Sequence, residues 1–287
     1  MQNVTLMGVG TMGSGMASRL LAAGFPVTVW NRHAARATPL AAAGATLGSS
    51  PHDAAAGADV IISMLADDDA SRSVWLGPSG ALTGARPGAV LIESSTVTPA
   101  WIDELAAAAA RARCDLLDAP VTGSKSHAAT GELLFLAGGD AAVLDRVRPV
   151  LAAMGRETMH VGPIGSGARL KLINNFVCGV QAASLAEAVA LVEACGLDRA
   201  QALAVLTNGA PGSPLFKAMA PRMIGRDYTV NFALALMKKD LAYAQREAAR
   251  HQMALATAAA AERIFQEAID AGHGGRDMAA VVEPLRR

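Results

Sequence analysis

Short apolar runs alternate with amphipathic stretches through roughly the first 160 residues. Runs at 4–7, 27–30, 59–65, 89–94, 115–119, 133–137 and 158–161 predict strands. Between them, 12–23, 68–75, 99–113 and 141–154 carry helical periodicity. Several of the strands are apolar on both faces, as a parallel sheet covered by helices on each side requires. The alternation predicts a doubly wound α/β domain over residues 1–163. After Gly162-Pro163-Ile164-Gly165 the pattern changes, and Ala/Leu-rich segments follow at 168–195, 199–207, 213–224, 232–251 and 254–271. Pro211-Gly212, Gly225 and the glycines near 272–275 separate them. Residues 164–287 are therefore expected to form an all-helical domain, joined to the first by a long helix. That helix is apolar nearly all round, which predicts burial between domains or subunits.

Composition narrows the function classes. Lys plus Arg and Asp plus Glu both number 25, so the chain carries no electrostatic footprint for nucleic acid or an acidic membrane face. Cys114, Cys178 and Cys195 share no metal-ligand spacing and read as three buried thiols in a reducing cytoplasm. The opening Met1-Gln2-Asn3 runs straight into the first strand, leaving no room for a secretory signal. The apolar stretch 172–186 is too short, and too interrupted by Asn and Gln, to span a bilayer. The expectation is a cytoplasmic protein with no nucleic-acid or membrane partner.

Gly8-Val9-Gly10-Thr11-Met12-Gly13 follows the first strand and opens the first helix. The first two glycines permit a tight turn and close approach to a pyrophosphate, and the third lets helix and strand pack. The helix N-terminus then faces the phosphates. In this strand–turn–helix setting the motif predicts a Rossmann dinucleotide site. An enzyme for NAD usually ends its second strand on Asp or Glu, to bond the ribose 2′-hydroxyl. Here stand Asn31-Arg32, with Arg36 beyond. A neutral amide and a guanidinium favour a 2′-phosphate, and a charged hydrogen bond of about 1.5–3 kcal/mol would give NADP a tenfold to hundredfold preference, with NAD still possible. Arg32 as a plain surface cation is the competing reading.

Two further stretches carry polar groups in apolar surroundings. Asp118-Ala119-Pro120-Val121-Thr122-Gly123-Ser124-Lys125 follows a strand, and Gly165-Ser166-Gly167-Ala168-Arg169-Leu170-Lys171-Leu172-Ile173-Asn174-Asn175 opens the long helix. Lys171 and Asn175 stand four apart and so share a helix face. On a buried helix they need a polar partner, and a substrate is one such partner; a lysine snorkelling to solvent is the alternative. Of the 25 basic residues only five are lysines, so arginine is the default surface cation here. A lysine against that background suits a site that needs a titratable ammonium.

In these stretches the sequence resembles the β-hydroxyacid dehydrogenase family, together with Val27-Thr28-Val29-Trp30, Ser63-Met64-Leu65, Ser94-Ser95-Thr96, Phe232 and Lys238-Lys239-Asp240-Leu241. The resemblance covers essentially the whole chain. It implies Lys171 as general acid/base and Asn175 holding the substrate oxygen. It implies Thr122, Gly123 and Ser124 binding the substrate carboxylate, although many members carry serine where Thr122 stands. Thr96 and the Met64-Leu65 loop would line the cofactor groove and Lys239 would reach the cofactor, while Phe232 and Asp240 close the cleft. The Asn31-Arg32 pair matches the family's NADP-using reductases. The family also implies a homodimer or homotetramer built through the helical domain.

The remaining candidates are weaker. His33, His52, His127, His160, His251 and His273 are scattered, so no metal site is expected. Asp67-Asp68-Asp69 sits where a helix begins and reads as an N-cap. The methionines read as core filler, and Ser73 and Ser213 lack triad partners. The leading expectation is reduction of a small semialdehyde or glyoxylate-like acid. The alternatives are oxidation of 3-hydroxyisobutyrate or another 3-hydroxy acid, and a non-catalytic NADP-binding sensor or interaction module. An imine-reductase-like activity ranks lower, because those relatives usually lack the lysine.

Overall fold

The computed structural model describes residues 1–286. Its strands are β1 (Val4–Met7), β2 (Val27–Trp30), β3 (Thr46–Leu47), β4 (Val60–Ser63), β5 (Val90–Glu93), β6 (Asp115–Asp118), β7 (Val121–Thr122), β8 (Leu133–Gly138) and β9 (Gly155–Gly162). In the first unit the helices are α1 (Gly13–Ala22), α2 (Thr38–Ala42), α3 (Pro51–Ala55), α4 (Asp68–Leu76), α5 (Ala81–Gly84), α6 (Pro99–Arg111), α7 (Lys125–Thr130) and α8 (Ala141–Met154). The long α9 (Ser166–Ala194) leads to α10 (Arg199–Asn208), α11 (Pro214–Gly225), α12 (Leu234–Arg250) and α13 (Ala256–Ala268). A 3-10 segment, Met278–Leu285, closes the described chain.

All nine strands form one sheet in the order β3-β2-β1-β4-β5-β6-β8-β7, with β9 also paired to β8. From β3 to β6 the pairing is parallel, with Val4 beside both Val27 and Val60. β1, β4 and β5 are buried at every position, whereas β2 alternates buried and half-buried residues. That difference is why the central strands read as mainly apolar runs without alternation.

The sheet departs from the all-parallel expectation at its far side, where β8 runs antiparallel to both β6 and β7. Between β6 and β8 the chain forms β7, which pairs antiparallel with β8, and the six-residue α7. β3 and β7 are two residues each, below the length at which alternation is visible.

Helix starts follow local chemistry. Ser50, Asp67, Thr98, Asp140, Asp198 and Ser213 each accept a hydrogen bond from a first-turn amide, and prolines open α3, α6 and α11. The acidic run at 67–69 is thus an N-cap followed by two first-turn carboxylates.

By packing, the chain divides into Met1–Lys171 and the residues from Leu172 onward, so the division falls inside α9. The second unit is built around Leu185 and Val189 of α9, Met223 of α11, Leu241 of α12 and Phe265 of α13. Gly179 lets α12 come close, since a Cβ there would lie 2.8 Å from the Leu241 side chain. In the single chain α9 leaves Leu170, Ile173 and Val177 exposed, Ile173 at 57%. At 29 residues it also exceeds the apolar stretch judged too short for a bilayer. Its buried Lys171 and Asn175, and the core it forms with α11, α12 and α13, are those of a globular helix. The cysteines differ from expectation as well: Cys114 is buried, with burial pushing its thiol up, but Cys178 is half-buried and Cys195 exposed.

Candidate functional site

The glycine-rich turn leaves the C-terminal end of β1, and each glycine answers a separate constraint. Gly8 has φ +93°, and a Cβ on it would collide with the Met64 carbonyl oxygen. A Cβ on Gly13 would strike the Gly8 carbonyl. At Gly10 a Cβ would meet nothing within 4 Å, so the backbone there faces open space. α1 begins at this turn with no side-chain cap on its N-terminus, leaving first-turn amides for an anion. Thr11 is exposed and Met12 half-buried beside them. A pyrophosphate fits these features: a turn closed on two sides and open on the third.

Asn31 is held by the backbone on both sides of it. Its Oδ1 accepts the Val9 N–H at 3.1 Å and its Nδ2 donates to the His33 carbonyl at 2.9 Å. The amide ties the end of β2 to the glycine turn, and Arg32 is left exposed as the cation beside it. Met64 and Leu65 leave β4, and Thr96 follows β5 on the adjacent strand. The Leu65 N–H donates to Ser95 Oγ at 2.7 Å, which couples the two loops. These cofactor candidates thus lie just beyond the carboxyl ends of β1, β2, β4 and β5, where open α/β sheets bind their ligands.

The carboxylate-binding candidates stand on the next segment. Thr122 is half-buried in β7, and Gly123 has φ +130°, a conformation that favours glycine. Ser124 caps α7: its N–H donates to His127 Nδ1 at 3.1 Å, and its Oγ lies 2.8 Å from the same nitrogen. The Ser124 amide is therefore engaged within the loop.

Asp118, at the end of β6, opens one of the stretches noted in the sequence but carries no assigned role there. It is buried and accepts the Gly165 N–H through Oδ1 and the Ala168 N–H through Oδ2, both at 2.7 Å. It thus caps α9 from across the sheet. Two glycines make room: a Cβ on Gly138 would collide with the Asp118 carboxylate, and one on Gly167 with the Leu136 carbonyl. Burial raises the Asp118 carboxyl to about 6, against the pull of its two backbone donors and Arg169. One carboxylate thereby ties the strand that leads into the 122–124 loop to the helix that carries Lys171.

Lys171 and Asn175 are buried, 8% and 4% exposed, one turn apart on α9. Asn175 Nδ2 donates to Asp240 Oδ2 at 2.6 Å. Asp240, 1% exposed, has Lys239 Nζ 3.1 Å from its other oxygen. The Lys239 ammonium also stands 5.0 Å over the Tyr243 ring. The residues expected on α12 therefore gather around Asn175 in the helical unit, with Asp240 as its direct partner. Phe232 is half-buried against the helical core, and its N–H donates to Asp277 Oδ2 at 3.0 Å. Asp277, also missed by sequence, accepts the Asn231 N–H as well and ion-pairs with Arg222 at 2.7 Å. Among the described residues no cluster of three or more His, Cys, Asp or Glu could hold a metal.

Comparison with known proteins covers almost the entire chain. Residues 3–162 match the model for the NAD binding domain of 6-phosphogluconate dehydrogenase. Residues 165–285 match that for the NAD-binding domain of NADP-dependent 3-hydroxyisobutyrate dehydrogenase. The chain is 34% identical over 284 residues to the chloroplastic glyoxylate/succinic semialdehyde reductase 2 of Arabidopsis thaliana, covering 99% of this chain and 79% of that one. It is 35% identical over 289 residues to the NAD-dependent L-serine dehydrogenase of Pseudomonas aeruginosa, covering 98% and 97%. Among solved structures, the 3-hydroxyisobutyrate dehydrogenase of Mycobacterium tuberculosis with L-serine superposes with a TM-score of 0.90 at 32% identity, over 100% of both chains. Matches of this extent, on both units and on a sheet whose glycine turn is shaped for a dinucleotide, place the chain in the β-hydroxyacid dehydrogenase family of NAD(P)-dependent oxidoreductases acting on CH–OH groups.

Proposed function

We propose that this protein is an NADP-dependent reductase of small semialdehydes or glyoxylate-like acids, with Lys171 as general acid/base. The observation that carries this reading is a buried lysine one helical turn from a buried amide, itself held by the buried carboxylate of Asp240. Side by side on one helix face, the ammonium and the amide offer two donor groups to a carbonyl oxygen. Lys171 delivers a proton to the oxygen as negative charge develops there, and takes it back in the reverse direction. Asn175 orients that oxygen, and Asp240 fixes the amide so that its position is set before substrate arrives. Thr122 and Gly123, with the Ser124 hydroxyl, receive the substrate carboxylate. The bound nicotinamide supplies or accepts the hydride.

Arg32 supports NADP as the preferred cofactor, because an exposed guanidinium at the end of β2 meets a 2′-phosphate and no acidic side chain stands in that position to oppose it. Gly8, Gly10 and Gly13 shape the pyrophosphate turn, with Thr11 and Met12 at the head of α1. Met64, Leu65 and Thr96 line the nicotinamide-ribose and adenosine side of the cofactor groove, and Lys239 completes the cofactor contacts. The exposed Leu170, Ile173 and Val177 support a homodimer or homotetramer packed through α9, which light scattering would test. A soluble cytoplasmic enzyme is the setting that fits this reading.

Oxidation of a 3-hydroxy acid is the second reading, favoured by the serine and 3-hydroxyisobutyrate dehydrogenases among the relatives. A panel assay separates the two. Consumption of NADPH is followed with glyoxylate, succinic semialdehyde, methylmalonate semialdehyde and tartronate semialdehyde, and NADP reduction with serine and 3-hydroxyisobutyrate. The expected result is fastest turnover with a semialdehyde and NADPH. A clear preference for NADH, or turnover confined to the hydroxy acids, would overturn the corresponding part of the proposal.

A further inference from the structure

The end of β5 holds a buried carboxylate that none of these roles uses. Glu93 is fully buried, is the last residue of its strand, and lies in register beside Ser63, the last residue of β4. The loops leaving those two strands carry Leu65 and Thr96. A buried carboxylate is costly unless donors fill its lone pairs, and here three donors do. The Ser95 N–H donates to Oε1 at 2.8 Å, Trp75 Nε1 donates to Oε2 at 3.0 Å, and the Ser71 hydroxyl donates to the same oxygen. Trp101 Nε1 in turn donates to Ser71 Oγ at 2.8 Å, which directs the serine proton toward Glu93. Trp75 Nε1 also lies 3.1 Å from Ser63 Oγ, so the indole bridges both strand ends.

The network reaches the Leu65 loop through Ser95. Ser95, held by its N–H on Glu93, accepts the Leu65 N–H on its own Oγ at 2.7 Å. A second tie joins the same pair of loops farther along, where Asp68 accepts the Thr98 N–H at 2.8 Å and the Thr98 hydroxyl at 2.6 Å. We infer that Glu93 is a positioning residue for cofactor binding, setting the Leu65 and Thr96 loops against each other through Ser95. This inference rests on the assignment of Leu65 and Thr96 to the cofactor.

All three partners of Glu93 donate, so only an acceptor-only side chain satisfies them. In Glu93→Gln the amide would turn an N–H toward either Ser95 N–H or the Trp75 and Ser71 donors, and Glu93→Asp is one methylene too short to hold both sides. Glu93→Gln is expected to raise the NADPH Kd about tenfold, the scale of one lost charged hydrogen bond. The KM for the carboxylate substrate at saturating cofactor should stay at the wild-type value. Ser95→Ala cuts the link without disturbing the buried carboxylate. It should raise the same Kd severalfold even if Glu93→Gln does not fold. Leu65→Asp is the control for the underlying assignment. The readout is NADPH titration of folded protein well below the melting temperature, beside the melting temperature itself. A purely structural role would lower the melting temperature and leave Kd unchanged in both variants, which overturns the inference. If Leu65→Asp also binds NADPH normally, the loop assignment falls, and the inference with it.

Discussion

The glycine turn at 8–13 and the polar face of α9 at Lys171 and Asn175 are made from different materials. In the first, the shape resides in the backbone. Gly8 and Gly13 leave no room for a side chain, which would collide with a carbonyl, whereas a Cβ on Gly10 would meet nothing within 4 Å. In the second, the proposed function resides in side chains held by distant partners. Asn175 is fixed by Asp240, which is 65 residues away in sequence. A backbone-built site tolerates almost no substitution at its glycines. A site built from side chains should lose activity in proportion to the partner removed.

Substitution at Gly13 tests the first half of that contrast and carries the largest expected effect on cofactor binding. Gly13→Ala forces a Cβ into the Gly8 carbonyl, and NADPH affinity should fall about a hundredfold, read by fluorescence titration with circular dichroism as the check on folding. Unchanged affinity would mean that the turn is not built by its backbone.

Asp118 joins the sheet to α9 and gives a signed pH dependence. Its carboxyl stands at about 6 in the fold against 3.8 for the free side chain, so burial favours the neutral form. The stability it contributes is complete below about pH 4 and is lost as pH rises to about 6, a change of about 3 kcal/mol. Urea denaturation should therefore show Asp118→Asn gaining on wild type by about that amount between pH 4 and 7. Stability curves that run parallel across that range would contradict the raised carboxyl.

Asp240 probes the side-chain half. Asp240→Ala leaves the buried Asn175 amide without its acceptor, and kcat/KM should fall about tenfold to a hundredfold. Asp240→Asn keeps an acceptor oxygen and should recover part of the loss. Equal kinetics for Asp240→Ala and wild type would show that Asn175 does not depend on this partner. The smallest effect is expected at Arg32, where alanine should cut the preference for NADPH over NADH about tenfold, as the ratio of kcat/KM values reports.

The same contrast explains what could be read from the chain. A turn dictated by local backbone sterics leaves a contiguous signature, and 8–13 was legible with its flanking strand and helix. The central strands were legible because burial on both faces makes them predominantly apolar. Strand direction leaves no such mark, so the antiparallel β8 was not anticipated, nor were the two-residue β3 and β7. The 3-10 segment Met278–Leu285, with Pro284 inside it, carries no 3.6-residue period to detect. Asp118, Glu93 and Asp277 went unassigned because a buried carboxylate declares its role only through its donors, and those donors are remote in sequence or belong to the backbone. What singles out Lys171 in the sequence is of another kind: lysine is scarce in an arginine-rich chain.

The account depends most on the amine of Lys171. With the best substrate from the panel, Lys171→Ala should turn over about a hundredfold to ten-thousandfold more slowly than wild type, the range for loss of a general acid, while binding NADPH as tightly. Equal turnover in the two proteins would contradict the assignment of proton transfer to Lys171.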